Sequence, residues 1–279
     1  MSHQLLKGKK GIIFGALDER SIAWKTALRV VEEGGEIILS NAPIALRMGK
    51  INELAKMCNN APVIGADATS IADLENLMQK SMEHFGGKMD FVLHSIGMSP
   101  NVRKNIGYTD TNYDNFLKTL DISALSLHKV LQTAMKTDAL NEWSSVVALS
   151  YIAAQRTFPG YNDMAEAKAL LESIGRSFGY HYGFARKVRV NTVSQSPTVT
   201  TAGSGVSGFD VFYDYADKMS PLGNAPADDC ANFCVALFSD MTKYITMQNL
   251  FHDGGFSNTG VSQPIVEKMQ ATMQAESAG

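Results

Sequence analysis

The stretch "YNDMAEAK" places Tyr161 seven residues before Lys168, with Met164 between them. A phenol that can donate a proton and an ammonium that favours nearby negative charge are the parts needed to steady an oxygen that turns anionic during a reaction. On a helix, residues seven apart share a face and stand about 10 Å apart along the axis. Tyr161, Met164 and Lys168 would then form one stripe. By residue type alone, such a stripe reads as core packing beside a lysine that snorkels to water. Met164, four residues before the lysine, has no proton to give.

The elements that must hold this stripe are legible as apolar runs. Residues 11–15, 36–40, 62–67, 89–97, 144–150, 188–194 and 249–255 are short and apolar almost throughout, as expected of parallel strands covered on both faces. Amphipathic helical patterns fill 21–33, 44–58, 70–85, 113–140 and 161–185. The alternation predicts an α/β fold, a single-domain Rossmann-type doubly wound parallel sheet with helices on both faces. Residues 1–279 carry no linker or repeat, so one domain is expected. The Gly-, Ser- and Thr-rich segment 195–209 follows a strand end, where open α/β sheets bind ligands. It reads as a lid, part of a substrate-binding loop at about 195–218.

The first strand runs into "GALDERSIAWKTA". Such a turn offers backbone N–H groups and the positive end of a helix to a pyrophosphate; Gly15 permits close approach, and Ser21 can cap the helix while reaching a phosphate. The G-x-G-x-x-G pattern is absent, so this turn alone is a weak signal. After the second strand stand Ser40, Asn41 and Ala42, with neither an acid for a ribose 2′-hydroxyl nor an adjacent arginine. Charge therefore does not separate NADH from NADPH. Asp67 suits an adenine amino group or a helix cap equally.

A net charge of −3 gives no general pull toward nucleic acid or anionic membrane, and no run approaches the roughly 18 apolar residues of a membrane span. Cys58, Cys230 and Cys234 are scattered. The last two lie one helical turn apart in "CANFCVALF", which fits core packing in a reducing cytosol better than a disulfide or metal site.

At "LSYIAAQRTFPGYNDMAEAKALLES" the sequence resembles the NAD(P)H-dependent enoyl-[acyl-carrier-protein] reductases, a divergent branch of the short-chain dehydrogenase/reductases. "SIA" at 21–23, "HSIG" at 94–97, "DIS" at 121–123, "SP" at 196–197 and "DGGFS" at 253–257 extend the resemblance along the chain. It implies hydride transfer from NADH, or NADPH, to Cβ of a trans-2-enoyl thioester borne by acyl carrier protein, with no metal. Tyr161 would bond the enolate oxygen and Lys168 the nicotinamide ribose, and Tyr151, the second active-site tyrosine of the catalytic set, would line the acyl pocket near the reacting carbon with Met164 as a wall. Gly15, Ser21, Ile22, Asp67, Ala68, Ile96 and the run Thr198, Val199, Thr200, Thr201, Ala202 would touch the cofactor. Ser99 would meet substrate. Ordinary short-chain reductases place their tyrosine four residues before the lysine to protonate a ketone. In enoyl reduction the charge gathers two carbons from the hydride acceptor, which fits a displaced phenol.

Two features depart from the family pattern. Ala42 stands where a cofactor-contacting glutamine is expected. The stretch 207–218 also lacks the basic residues thought to receive acidic carrier protein, leaving Arg103, Lys104 or Arg156 for docking. The resemblance further implies a cytoplasmic homotetramer built through the long helices. Competing readings are a carbonyl reductase of the same superfamily, which Met164 opposes, and a non-catalytic nucleotide sensor, which the retained tyrosines and Lys168 oppose.

Overall fold

Six of the apolar runs become strands of one parallel sheet in a computed structural model that describes residues 2–48, 50–200 and 208–278. They are β1 (Lys10–Phe14), β2 (Glu36–Ser40), β3 (Met89–His94), β4 (Leu140–Ser150), β5 (Arg189–Gln195) and β6 (Asn249–His252). Their order is β2-β1-β3-β4-β5-β6. The direction of winding reverses between β1 and β3, which opens a crevice at the strand C-termini. Register brings those ends level: Phe14 pairs with Ser40 and His94, and His94 with Ala148.

Side chains alternate across the sheet and so divide the core in two. Ile12, Ile38, Val92, Val146 and Val190 face one way, against Leu74 and Leu77 of α4 (Ile71–Phe85), Leu127 and Leu131 of α7 (Ser126–Lys136), and Leu171 of α8 (Asp163–Arg186). Ile13, Leu39, Phe91, Leu93, Val147 and Val193 face the other way. They meet Trp24 and Ala27 of α1 (Ile22–Glu32), Leu54 of α3 (Ile51–Met57), and Cys230 and Cys234 of α10 (Ala227–Phe238). Both cysteines are fully buried and free, as core packing requires.

The structure corrects several expected boundaries. Residues 62–67 form a single bridge, Val63 to Leu39, rather than a strand. Pro62 has no N–H to extend a ladder, and only its carbonyl is used, accepting from Leu39. The predicted helix 44–58 is divided into α2 (Pro43–Met48) and α3, with the Lys50 N–H bonded to the Leu17 carbonyl. The pattern over 113–140 resolves into α6 (Tyr113–Leu120), a π-helical turn (Asp121–Leu125) and α7, and its last residue belongs to β4. Within the expected loop 195–218, Phe209–Met219 is a helix, α9, whose Phe209, Phe212 and Tyr215 line the cavity described below. A short α5 (Pro100–Arg103) and a terminal α11 (Gln263–Ala278), exposed along most of its length, complete the described residues. No helix among them is long and apolar enough to cross a membrane.

Candidate active site

A cavity of about 1650 Å³ occupies the crevice at the strand C-termini. It exceeds the ~300–1,000 Å³ typical of a site for one drug-sized ligand, so a dinucleotide and a second ligand fit together. At one end lie Gly15, Ser21 and Ile22 on the β1–α1 turn, and Asp67 and Ala68 beside β2. Gly15 has φ +93°, and a Cβ there would sit 1.9 Å from the Ser95 carbonyl oxygen. Only glycine permits that contact between the β1 and β3 turns. Ser21 is the N-cap of α1, its Oγ accepting from the Trp24 N–H and donating to the Asp18 carbonyl at 2.7 Å. Asp67 accepts both the N–H and the hydroxyl of Thr69 in a local turn, and the cap of α4 is Ser70.

At the other end the expected helical stripe is corrected: Met164 and Lys168 stand on the first two turns of α8, whereas Tyr161 precedes the helix, because Asn162 leaves helical backbone at φ +43°, ψ −135°. Tyr161, Met164 and Lys168 all line the cavity, opposite Ser95, Ile96 and Gly97. The Met164 methyl and the Lys168 Nζ lie 3.5 and 3.8 Å from where a Cβ on Gly97 would be. Lys168 does not snorkel: it is buried, and its ammonium donates to the Leu149 carbonyl at 2.7 Å. Burial lowers its pKa to about 8, against the opposing influence of Glu172 one turn along. Burial also raises the Tyr161 phenol well above its ordinary range. The same holds for Tyr151, where the neighbouring Tyr161 adds to the effect.

Tyr151 and Tyr161 pack with ring centres 5.1 Å apart. Phe158 and Phe212 complete an aromatic wall, 5.4 and 6.4 Å from Tyr151. The Tyr151 hydroxyl is buried with no hydrogen-bond partner. A buried ammonium bonded to one protein acceptor and an unpartnered buried phenol, both on the cavity wall, suit a ligand that brings its own oxygens. A dinucleotide with ribose hydroxyls, lying beside a carbonyl compound, meets that requirement.

The family model for "Enoyl-(Acyl carrier protein) reductase" matches residues 15–257. The chain belongs to that family. It is 31% identical over 267 residues to the enoyl-[acyl-carrier-protein] reductase [NADH] 2 of Rhizobium meliloti (strain 1021), covering 95% of this chain and 97% of that one. Among solved structures, a FabI–NADH complex from Alistipes finegoldii superposes with a TM-score of 0.93 at 65% identity, covering 94% of this chain and 92% of that one. The enoyl-[acyl-carrier-protein] reductase (NADH) of Aquifex aeolicus VF5 gives 0.85 at 30% identity, over 92% and 99%.

In this reductase the cavity gathers the residues singled out from sequence, with distinctions. Thr198 and Thr200 line it, whereas Val199 is half-exposed and absent from the lining. Thr201 and Ala202 lie outside the described residues. Ser99 lines the cavity, but its hydroxyl points into the protein, donating to Asp163 at 2.5 Å and accepting from the Val102 N–H at 3.0 Å. Sequence reasoning missed Asp163, Glu172, Phe158 and Phe212. Glu172 accepts from Ser150 and Gln155 behind Lys168. Its place at i+4 from the lysine was the available signal. The two phenylalanines come from separate segments, and no local pattern joins them.

Proposed function

We propose that the chain reduces the trans-2 double bond of an enoyl thioester carried on acyl carrier protein, using NADH, as the last reductive step of fatty-acid elongation. The observation that carries this reading is the meeting of Tyr161 and Lys168 in one cavity with the Gly15 turn, while Met164 occupies the place of a ketone-reducing tyrosine. When bound, NADH supplies the hydride that adds at Cβ. The π electrons of the double bond then move toward the thioester carbonyl, and negative charge gathers on its oxygen. Tyr161 donates a hydrogen bond to that oxygen, a contact strongest in the transition state. One proton taken up at Cα completes the saturated acyl chain.

Lys168, with one N–H held by Leu149, directs its others to the nicotinamide ribose hydroxyls, and its charge favours the anionic oxygen nearby. Tyr151 and Met164 line the acyl pocket, and Ser99 contributes wall rather than a free hydroxyl. Gly15 and Ser21 receive the pyrophosphate; Ile22, Asp67, Ala68, Ile96, Thr198 and Thr200 line the rest of the cofactor's path. The corner expected to take the adenosine ribose contains Asn41, Ala42 and Lys50, and the Lys50 ammonium is already bonded to Glu19 at 2.8 Å. A 2′-phosphate would find that cation engaged, which supports NADH over NADPH. Arg103, on the cavity rim beside Val102, and the nearby Lys104 offer positive charge to an acidic carrier. Assembly as a cytoplasmic homotetramer belongs to the same reading.

A steady-state assay with crotonyl thioester, following loss of reduced-nicotinamide absorbance, tests the proposal. Turnover with NADH exceeding that with NADPH is expected. Turnover of a β-ketoacyl thioester without enoyl turnover would establish the carbonyl-reductase reading instead. Nucleotide binding with no turnover would establish a sensor.

A further inference from the structure

Asp163, the first residue of α8, has no exposed surface. Its carboxylate accepts three side-chain hydrogen bonds: from Ser99 Oγ at 2.5 Å, Asn101 Nδ2 at 2.8 Å and Thr119 Oγ1 at 2.8 Å. All three donors are buried. A negative group at the start of a helix is also favoured by the helix dipole. What the carboxylate joins is more informative than its own stability. Ser99 ends the β3 turn that lines the cavity. Asn101 lies on α5 and accepts from Asn115 of α6 through its own Oδ1. Thr119 lies on α6, two residues before the π-helical turn begins. One carboxylate thus pins three walls of the cavity to the start of the helix that carries Lys168.

The phenol is two residues away. Between them Asn162 adopts φ +43°, ψ −135°, a backbone region that residues with a Cβ rarely enter, and donates from its side chain to the Ile106 carbonyl. The direction of Tyr161 therefore depends on where Asp163 is held. Lys168 has its own tether at Leu149. Met164 likewise has a second contact, its sulfur lying 3.6 Å from the Ser123 hydroxyl. Tyr161 packs on the Tyr151 ring and its N–H donates to the Phe158 carbonyl, and the strained Asn162 link ties its backbone to the carboxylate.

We propose that Asp163 is a positioning residue that acts through Tyr161, holding the phenol where the thioester oxygen arrives. The proposal rests on the assignment of Tyr161 as the group that contacts that oxygen. Its signature is a loss of kcat with cofactor binding retained, and a loss that disappears when the phenol hydroxyl is absent. Asp163→Asn should restore most of the function. Its amide oxygen can still accept from Asn101 and Thr119, while its N–H₂ can donate to the Ser99 hydroxyl, which can rotate to accept.

The experiment compares kcat with crotonyl thioester, the Kd of NADH by fluorescence, and thermal unfolding, in Asp163→Ala, Asp163→Asn, Tyr161→Phe and Asp163→Ala/Tyr161→Phe. Misplacement on the scale of an ångström costs up to about 100-fold. On that scale Asp163→Ala is expected to lose about 10- to 30-fold in kcat. NADH Kd should move by no more than about twofold, and Asp163→Asn should recover to within about threefold of the parent. In the Tyr161→Phe background, Asp163→Ala should cost less than about threefold. Equal losses in both backgrounds would overturn the proposal, as would parallel loss of kcat and NADH affinity without rescue by asparagine. If Tyr161→Phe alone leaves kcat unchanged, the assignment of the phenol fails, and the positioning role falls with it. Should Asp163→Ala not fold, Thr119→Val removes one of the three bonds and should show a smaller loss confined to kcat; its absence would count against the proposal.

Discussion

The two ends of the cavity are built on opposite terms. At the Gly15 end the polar groups are already satisfied within the protein: Ser21 caps α1, Asp67 closes a turn with Thr69, and Lys50 bonds to Glu19. At the Tyr161 end burial is deep and satisfaction is incomplete, with the Tyr151 hydroxyl unpartnered and the Lys168 ammonium drawn down to about 8. The first end can bind by shape and backbone with little internal cost. The second holds polar groups in an unfavourable state that a ligand relieves. Stability and function should therefore coincide at one end and oppose each other at the other.

The largest effect expected at the reaction end is from Tyr161→Phe. Loss of a donor to the developing charge should lower kcat by about 100- to 1,000-fold, with NADH Kd, read by fluorescence, within about twofold. Lys168→Met should weaken NADH by about 30-fold or more, as two charge-assisted bonds to ribose are lost. Its thermal midpoint should be unchanged or higher, because a buried ammonium is removed. A lower midpoint would break the contrast between the ends.

The same lysine gives a pH dependence with a definite sign. Its folded pKa, about 8, lies below the ordinary lysine value of 10.5. The cost of burying its charge is present in full below pH 8 and is relieved as pH rises toward 10.5. NADH binding should weaken over the same window, as the ammonium loses its proton. Titration of NADH Kd against pH checks this, and Lys168→Met should abolish the inflection near 8.

At the nucleotide end, Gly15→Ala places a methyl against the Ser95 carbonyl at positive φ. It should cost about 1–3 kcal/mol of stability and weaken NADH in parallel, by denaturant titration and fluorescence. The smallest expected effect sharpens the comparison most. Tyr151→Phe removes a hydroxyl that nothing satisfies, so stability should hold or rise by up to about 1 kcal/mol, while kcat changes only a few-fold.

Much of this architecture could be read from residue order because its signals are local. The buried strands announce themselves as apolar runs, Ser21 as a cap, and Met164 and Lys168 as one face of α8, whereas Tyr161 stands before that helix and the cap of α4 is Ser70 rather than Asp67. The breaks were less visible. A proline in "PVIGAD" does not declare that only one bridge will survive, and a π-helical turn has the composition of the helices it joins. Ser99 shows the limit at the site: the sequence places it at the cavity, and only the fold reveals that Asp163, sixty-four residues later, claims its hydroxyl. Such pairings depend on where α5, α6 and α8 cross, which no window of sequence contains.

The π-helical turn at Asp121–Leu125 has a consequence for how this molecule can be altered. A turn of that kind holds one residue more than an α-helical turn, so α6 and α7 are out of phase by about 100° relative to an unbroken rod. Deleting a single residue there would leave the helix continuous yet swing one half around its axis. Thr119 would lose sight of Asp163, or Leu127 would leave the core. Length, at that one place, is as constrained as chemistry.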